Sequence, residues 1–128
     1  MRADNGPLDL ATFTDLIGRL CEDIPPALLA GLNGGIIVLP ETKRAERPDL
    51  YVLGEYLVEE PGLGRLIVIY HGSFRRIMGS ARIASWEREA RATIAHELRH
   101  HIEGLAGVRD LEREDEERLA EFLRPGDR

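Results

Sequence analysis

The sequence has few cysteines and no long apolar run, and both scarcities exclude classes of protein. The lone Cys21 cannot form an internal disulfide or a cysteine-rich metal site. The longest apolar runs are Ile36–Leu39 and Leu66–Tyr70, far short of the roughly 20 residues that cross a bilayer. The first residues also lack the basic start and apolar core of a secretory signal. We therefore expect a cytoplasmic protein with no membrane partner.

Lysine is also scarce, and the positive charges form no cluster. The 17 Lys and Arg residues, all arginine except Lys43, face 23 Asp and Glu residues, for a net charge of -6. Nucleic-acid binding rewards clustered positive charge, so we expect no nucleic-acid partner. The chain has 128 residues and is 43% hydrophobic, which predicts one globular domain over residues 1–128.

Two long amphipathic helices are predicted from spacings of three and four residues between apolar side chains. The first follows Asp9, a potential cap, and ends at Pro25-Pro26. The second covers Trp86–Leu105 with Ser85 as its cap, and Gly104 and Gly107 mark its end. The acidic segment Asp110–Glu117 is interpreted as a solvated face or a short helix that packs back through nearby apolar residues, Leu111, Leu119 and Phe122.

Between the two helices the sequence predicts a small sheet. Residues Ile36–Leu39 are predicted to form a buried strand, and the polar segment Pro40–Asp49 an exposed loop. The segments Leu50–Val58 and Leu66–Tyr70 flank a Pro- and Gly-containing turn, which is typical of a hairpin. The polar stretch His71–Phe74 is predicted to leave the last strand as a loop. The fold class is therefore α+β, with a short mixed sheet of three or four strands packed against both helices.

The strongest functional signal lies in the second helix, at His96-Glu97-Leu98-Arg99-His100. In this HExxH pattern two imidazoles four residues apart project from the same side of a helix and can chelate one Zn²⁺. Glu97 then lies beside the zinc-bound water, where it can act as general base and later as general acid. The apolar positions of this helix share the opposite face, which predicts a buried core side and an exposed metal-binding side; these positions are Ala90, Ile94, Leu98, Ile102 and Leu105.

The third metal ligand is left open between several carboxylates. Asp110 is favoured, because a ligand that arrives from beyond the helix gives a better tetrahedral angle. Glu103 is the alternative, since it shares the helix face of His96 and His100 and side chains on helices lean toward the N-terminus. Later acidic residues are further alternatives, namely Glu112, Glu114 and Asp115.

Three other polar residues are weighed as site residues. His101 lies on or beside the apolar face, so we predict a core histidine with both nitrogens satisfied. His71 is interpreted as a solvated loop histidine, with a role facing the metal as the alternative. Tyr70 has the same two interpretations, because strand alternation alone does not show which face it occupies.

The chain resembles the small bacterial zincin-like metallopeptidases, also called minimal zincins. The resemblance covers most of the sequence and rests above all on Thr93–Glu97, with Leu53–Tyr56, Ile67–Tyr70 and the N-terminal helix in the order that family shows. It implies a zinc-dependent peptidase on a small α/β domain. The usual family motif, HExxHxxGxxD, ends in an aspartate that is the third zinc ligand.

This sequence departs from that motif after the second histidine. Glu103 occupies the glycine position and Ala106 occupies the aspartate position, and alanine cannot bind a metal. An insertion of four residues would bring Gly107 and Asp110 to these two positions. The resemblance therefore implies Asp110 as third ligand only if such an insertion exists.

Two functions follow from the sequence. The first is hydrolysis of a peptide or protein substrate that lies along the edge strand, with zinc as cofactor and Glu97 as the catalytic residue. The second is a catalytically weak or inactive metal-binding or interaction module, because the short chain after Asp110 predicts a cleft with one wall. A homodimer could supply the other wall.

Overall fold

The computed structural model describes residues 7–47, 49–59, 64–106 and 113–124. These residues form four α-helices, a three-stranded sheet and a separate two-stranded sheet. The helices are α1 (Leu10–Glu22), α2 (His71–Met78), α3 (Ile83–Ala106) and α4 (Arg113–Leu123), and a short 3-10 helix covers Pro26–Leu29. The strands are β1 (Gly35–Leu39), β2 (Lys43–Arg44), β3 (Tyr51–Val52), β4 (Gly54–Glu59) and β5 (Gly64–Tyr70). The predicted α+β class is confirmed.

The main sheet has the order β1-β5-β4 and places β4 at an edge. β5 pairs with β1 in parallel and with β4 in antiparallel, so the predicted mixed sheet and hairpin are confirmed. Central strand β5 is buried on both faces. Its residues Ile67 and Ile69 face the main core, whereas Leu66, Val68 and Tyr70 form a smaller apolar cluster on the other face.

The main core is built by α1, α3 and one face of the sheet. Asp9 caps α1 as predicted, because its side chain accepts a hydrogen bond of 2.8 Å from the Thr12 backbone N–H. The apolar face of α3 is buried as predicted at Ala90, Ile94 and Leu98, which have no exposed surface. Its last predicted member, Leu105, is instead 48% exposed, since it lies near the end of α3, where less of the core covers the helix.

Four local predictions are wrong, and each error arises from contacts distant in sequence. β1 is an edge strand with Ile37 at 39% exposure, because β5 is its only partner among the described strands. The loop Pro40–Asp49 contains β2, which pairs with β3. The buried Ser73 hydroxyl accepts a hydrogen bond from the Lys43 backbone N–H at 2.9 Å and so ties β2 to α2.

The other two wrong predictions concern helix starts. The stretch His71–Phe74 is the first turn of α2 rather than a loop. Helix α3 begins at Ile83, so Ser85 lies within its first turn and does not cap it. In both cases the buried aromatic residues Phe74 and Trp86 pack against Phe13 of α1, with ring centroids 4.9 and 5.7 Å from it. This packing stabilises helical turns that the local sequence leaves ambiguous.

Helix α4 packs back onto the body, as the acidic tail predicted. Leu119 and Phe122 are 3% and 2% exposed and join the main core. The predicted third contact, Leu111, lies outside the described residues. Within the described part of the chain, no helix combines the length and the apolar character needed to cross a bilayer.

Candidate metal centre

The two motif histidines lie side by side on the exposed face of α3. The Nε2 atoms of His96 and His100 are 3.2 Å apart, and their ring planes are perpendicular. Two nitrogen ligands about 2.0–2.1 Å from one tetrahedral zinc ion are separated by roughly 3.3 Å. The separation of the two Nε2 atoms is therefore close to that of two nitrogen ligands of one zinc ion.

The described residues add no third ligand to this pair. Among the described residues, no group of three or more His, Cys, Asp or Glu side chains is placed to hold a metal. Glu103 is described and belongs to no such group. The hydrogen bonds with Glu116, and to a smaller extent the negative charge of Glu103, raise the pKa of Arg99. The favoured ligand Asp110, like Glu112, lies outside the described residues, so its assignment stays a prediction.

Glu97 faces edge strand β4 and lines the same cavity as His96. The side of α3 that it occupies is covered, and the residue is only 7% exposed. Burial, together with the negative charge of Glu55, raises the pKa of Glu97 to about 7. A hydrogen bond from the backbone N–H of Tyr56 acts in the opposite direction. A carboxyl group with a pKa near neutrality can both accept and return a proton at physiological pH.

Gly54 allows β4 to approach α3 this closely. A Cβ atom at this position would lie 2.8 Å from Cγ2 of Thr93 and 3.2 Å from Cδ1 of Ile69. Thr93 is itself fixed, since its hydroxyl donates a hydrogen bond of 2.9 Å to the Glu89 carbonyl. The absence of a side chain at residue 54 thus lets edge strand β4 lie next to α3, the motif helix that carries the HExxH pattern.

A polar cluster on the far face of β4 completes the surroundings of Glu97. The Nζ atom of Lys43 donates to both carboxylate oxygens of Glu55 at 2.8 Å, and the Tyr70 hydroxyl donates to one of them at 2.8 Å. Burial raises the pKa of Glu55, but these hydrogen bonds outweigh it and lower the pKa overall. Glu55 therefore keeps its negative charge. Sequence reasoning missed Lys43 and Glu55, although the only lysine of the chain was a signal.

Tyr70 and His71, the two further candidates for the site, are both buried. Tyr70 is 7% exposed and reaches the Glu97 environment only through Glu55. His71 is 5% exposed, and its Nε2 lies 2.8 Å from the Leu8 carbonyl oxygen. The prediction of a solvated His71 is wrong, because the residue starts a helix that packs under α1. The cavity that it lines contains Arg75 and Arg76 and none of the motif residues.

His101 is a core histidine with both ring nitrogens paired, as predicted. Its Nε2 lies 2.7 Å from the Ala30 carbonyl oxygen, and its Nδ1 lies 3.0 Å from the Tyr56 hydroxyl. A carbonyl can only accept, so Nε2 carries the proton and Nδ1 accepts from Tyr56. Arg65 in turn donates to the Tyr56 hydroxyl at 2.7 Å. The back of the motif helix is thereby joined to the same edge strand that meets Glu97.

Two cavities meet at His96. One, of about 250 Å³, runs between β4 and α3 and is lined by Leu53, Gly54, Glu89, Ala92, Thr93, His96 and Glu97. The other, of about 220 Å³, lies between α3 and α4 and is lined by Ala92, Ala95, His96, Arg99, Leu119 and Leu123. Helix α4 thus supplies a wall to the second cavity, whereas no residue of α4 lines the cavity that contains Glu97.

The chain is similar to a protein of known structure. No protein-family model matches the sequence, and no curated protein matches it significantly. The chain is similar to a solved structure from Thermus thermophilus that is described as a conserved hypothetical protein. The two are 39% identical, with a TM-score of 0.71, over 77% of this chain and 98% of that one.

Proposed function

We propose that this chain is a zinc-dependent metallopeptidase. The chain belongs to the family of the conserved hypothetical protein from Thermus thermophilus. His96 and His100 would hold the metal, Asp110 is the proposed third ligand, and Glu97 is the proposed catalytic residue. The observation that carries the proposal is the pair of Nε2 atoms 3.2 Å apart with a buried carboxyl on the adjacent residue. We further propose a cytoplasmic location, in keeping with a single unpaired cysteine.

The chemistry divides between the metal and the chain. Zinc, when bound, supplies a Lewis acid that polarises a peptide carbonyl and makes water acidic. Glu97 accepts the proton of the attacking water and returns it to the leaving amine, which breaks the carbon–nitrogen bond and adds water across it. The backbone N–H of Tyr56 orients the Glu97 carboxylate through its hydrogen bond.

Edge strand β4 is the proposed binding surface for the peptide. Only β5 pairs with it among the described strands, so its other edge offers backbone groups to an extended chain. The cavity between β4 and α3 follows this edge and reaches both His96 and Glu97. A peptide added to the sheet there would bring a carbonyl group to the two histidines.

Metal content is the first experiment. Protein stripped of metal and dialysed against trace zinc is expected to retain one zinc ion per chain by mass spectrometry. His96→Ala and His100→Ala should each lose it, whereas Glu97→Gln should keep it, because Glu97 is not a proposed ligand. Absence of zinc from the unchanged protein contradicts the proposal.

Activity separates the two functions considered for this chain. The zinc-loaded protein is expected to cleave members of a mixed peptide library, and Glu97→Gln should lower the rate by at least about a hundredfold. Zinc bound by both proteins without any cleavage by the unchanged one would instead favour a non-catalytic metal-binding module.

A further inference from the structure

Side-chain contacts between α3 and α4 hold the two helices on either side of the cavity that lies between them. Phe122 of α4 is held by Arg91 of α3, whose Nη1 donates to the Phe122 carbonyl at 3.0 Å and whose guanidinium lies 5.1 Å from the ring centroid. Arg99 and Glu116 form two further hydrogen bonds of 3.1 Å between the helices. These contacts fix α4 beside His96, so the cavity is a formed feature of the fold.

Two of the six residues that line this cavity are polar, His96 and Arg99. Its other members are two alanines and two leucines, namely Ala92, Ala95, Leu119 and Leu123. The positive charge of Arg99 is matched by Glu116, which lowers its attraction for an outside anion. The cavity therefore favours an uncharged, apolar occupant over a charged one.

Packing within the fold does not account for the position of Leu123, an exposed apolar side chain. Its neighbour Phe122 is 2% exposed and belongs to the core, whereas Leu123 is 43% exposed and lines the cavity. An apolar side chain held at the mouth of such a cavity gains from an apolar partner that covers it.

The occupant is indicated by the continuity of the cavity with the proposed catalytic centre. His96 and Ala92 line both this cavity and the one along β4 that contains Glu97. A peptide lying along β4 with its carbonyl at His96 has the α3–α4 cavity directly beyond that point. We propose that this cavity receives an apolar side chain of the peptide, of the Leu or Phe class, next to the cleaved bond, and that Leu123 determines this preference. The proposal rests on the proposed peptidase function.

Kinetics on the zinc-loaded protein test the preference. Matched peptides carry Leu, Phe, Glu or Lys on either side of the cleaved bond. We expect kcat/KM to favour Leu or Phe over Glu by at least about tenfold at one of these positions. Leu123→Arg should abolish the preference. Ile77→Arg is the matched control, because Ile77 is an equally exposed aliphatic residue of α2 (50%) that does not line the cavity.

Three kinetic outcomes would overturn the proposal while leaving the peptidase function intact. These are no preference in the unchanged protein, a preference that survives Leu123→Arg, and an equal loss in Ile77→Arg. Light scattering identifies a fourth outcome that would overturn the proposal. If Leu123→Arg turns a dimer into a monomer without changing the preference, the face joins two copies of the chain instead.

A measurement on the metal-free, unchanged protein is independent of catalysis and of any variant's folding. N-acetyl-leucine amide is titrated while the methyl resonances of Ala92, Ala95, Leu119 and Leu123 are followed by NMR. We expect saturable shifts confined to these methyl groups, and none with N-acetyl-glutamate amide. Equal shifts with both probes, or none with either, would contradict the proposed cavity. Saturable shifts in a protein that binds no zinc would support the cavity while the peptidase proposal fails.

Discussion

The Tyr56 hydroxyl lies 3.0 Å from Nδ1 of His101 and joins the edge strand to the buried back of the motif helix. His101 has no exposed surface, so water cannot replace this hydrogen bond. The backbone N–H of the same tyrosine reaches Glu97. One residue of β4 thus contacts both the proposed general base and the helix that carries the two proposed metal ligands.

Removal of the Tyr56 hydroxyl should destabilise the protein. Tyr56→Phe leaves Nδ1 of His101 without a donor, and an unsatisfied buried acceptor costs about 1–3 kcal/mol. Urea denaturation should show this loss in the free energy of unfolding. Tyr51→Phe is the control, because the Tyr51 ring stacks with Arg44 and Arg76, and phenylalanine keeps that contact. Equal stability of Tyr56→Phe and the unchanged protein would contradict the role assigned to this bond.

Gly54 should not tolerate a side chain. Gly54→Ala places a Cβ only 2.8 Å from the Thr93 methyl group, and such overpacking costs about 1–3 kcal/mol. Thr93→Ser removes that methyl group but keeps the hydroxyl that bonds to Glu89. Thermal unfolding should therefore show Gly54→Ala partly rescued by Thr93→Ser. If the two losses simply add, the close contact between β4 and α3 is wrong.

The contribution of Glu97 to the stability of the metal-free protein should fall as the pH rises through the acidic range. The pKa of Glu97 is about 7 in the folded protein, against 4.5 as its ordinary value. Below pH 4.5 the carboxyl is protonated in both states. Between these two values the unfolded state ionises first, so folding loses up to roughly 3 kcal/mol, and the loss is complete above the higher one.

Glu97→Gln removes this dependence, because glutamine does not ionise. With a chelator present, it should be more stable than the unchanged protein at pH 8, and the difference should shrink toward pH 4. Urea unfolding across this range measures the effect. Glu89→Gln, on the same helix but only half-buried, should follow the unchanged protein. Parallel pH profiles for Glu97→Gln and the unchanged protein would contradict the environment described for Glu97.

The third metal ligand can be assigned by zinc affinity. If Asp110 binds the metal, Asp110→Asn should weaken zinc binding by at least the ten- to hundredfold that loss of an outer-shell partner typically costs. Glu103→Gln should bind zinc as the unchanged protein does. Asp115→Asn tests a further candidate ligand and should also bind zinc as the unchanged protein does, since the Asp115 carboxylate pairs with Arg118. If Glu103→Gln weakens zinc binding and Asp110→Asn does not, Glu103 is the third ligand. If neither of these two variants changes the zinc affinity, neither residue is the third ligand. Competition with a zinc-sensitive dye provides the affinities.

The features predicted correctly from sequence depend on short-range periodicity. The core face of α3 and the exposed pair His96 and His100 follow from 3.6 residues per turn, so every partner is within one or two turns. The hairpin of β4 and β5 has the same origin, because its strands adjoin in sequence. The Asp9 cap is local too, since the carboxylate binds an N–H three residues later.

The sequence by itself thus determined the α+β class, the two main helices and the paired histidines, because these depend on neighbouring side chains. Only the tertiary structure decided how they are used. Tyr56 meets His101 across 45 residues, Lys43 meets Glu55 behind the edge strand, and α4 closes a cavity beside His96. Contacts of this kind leave no local pattern, because they arise from the packing of whole helices and strands, and the burial that raises the pKa of Glu97 exists only once that packing is complete.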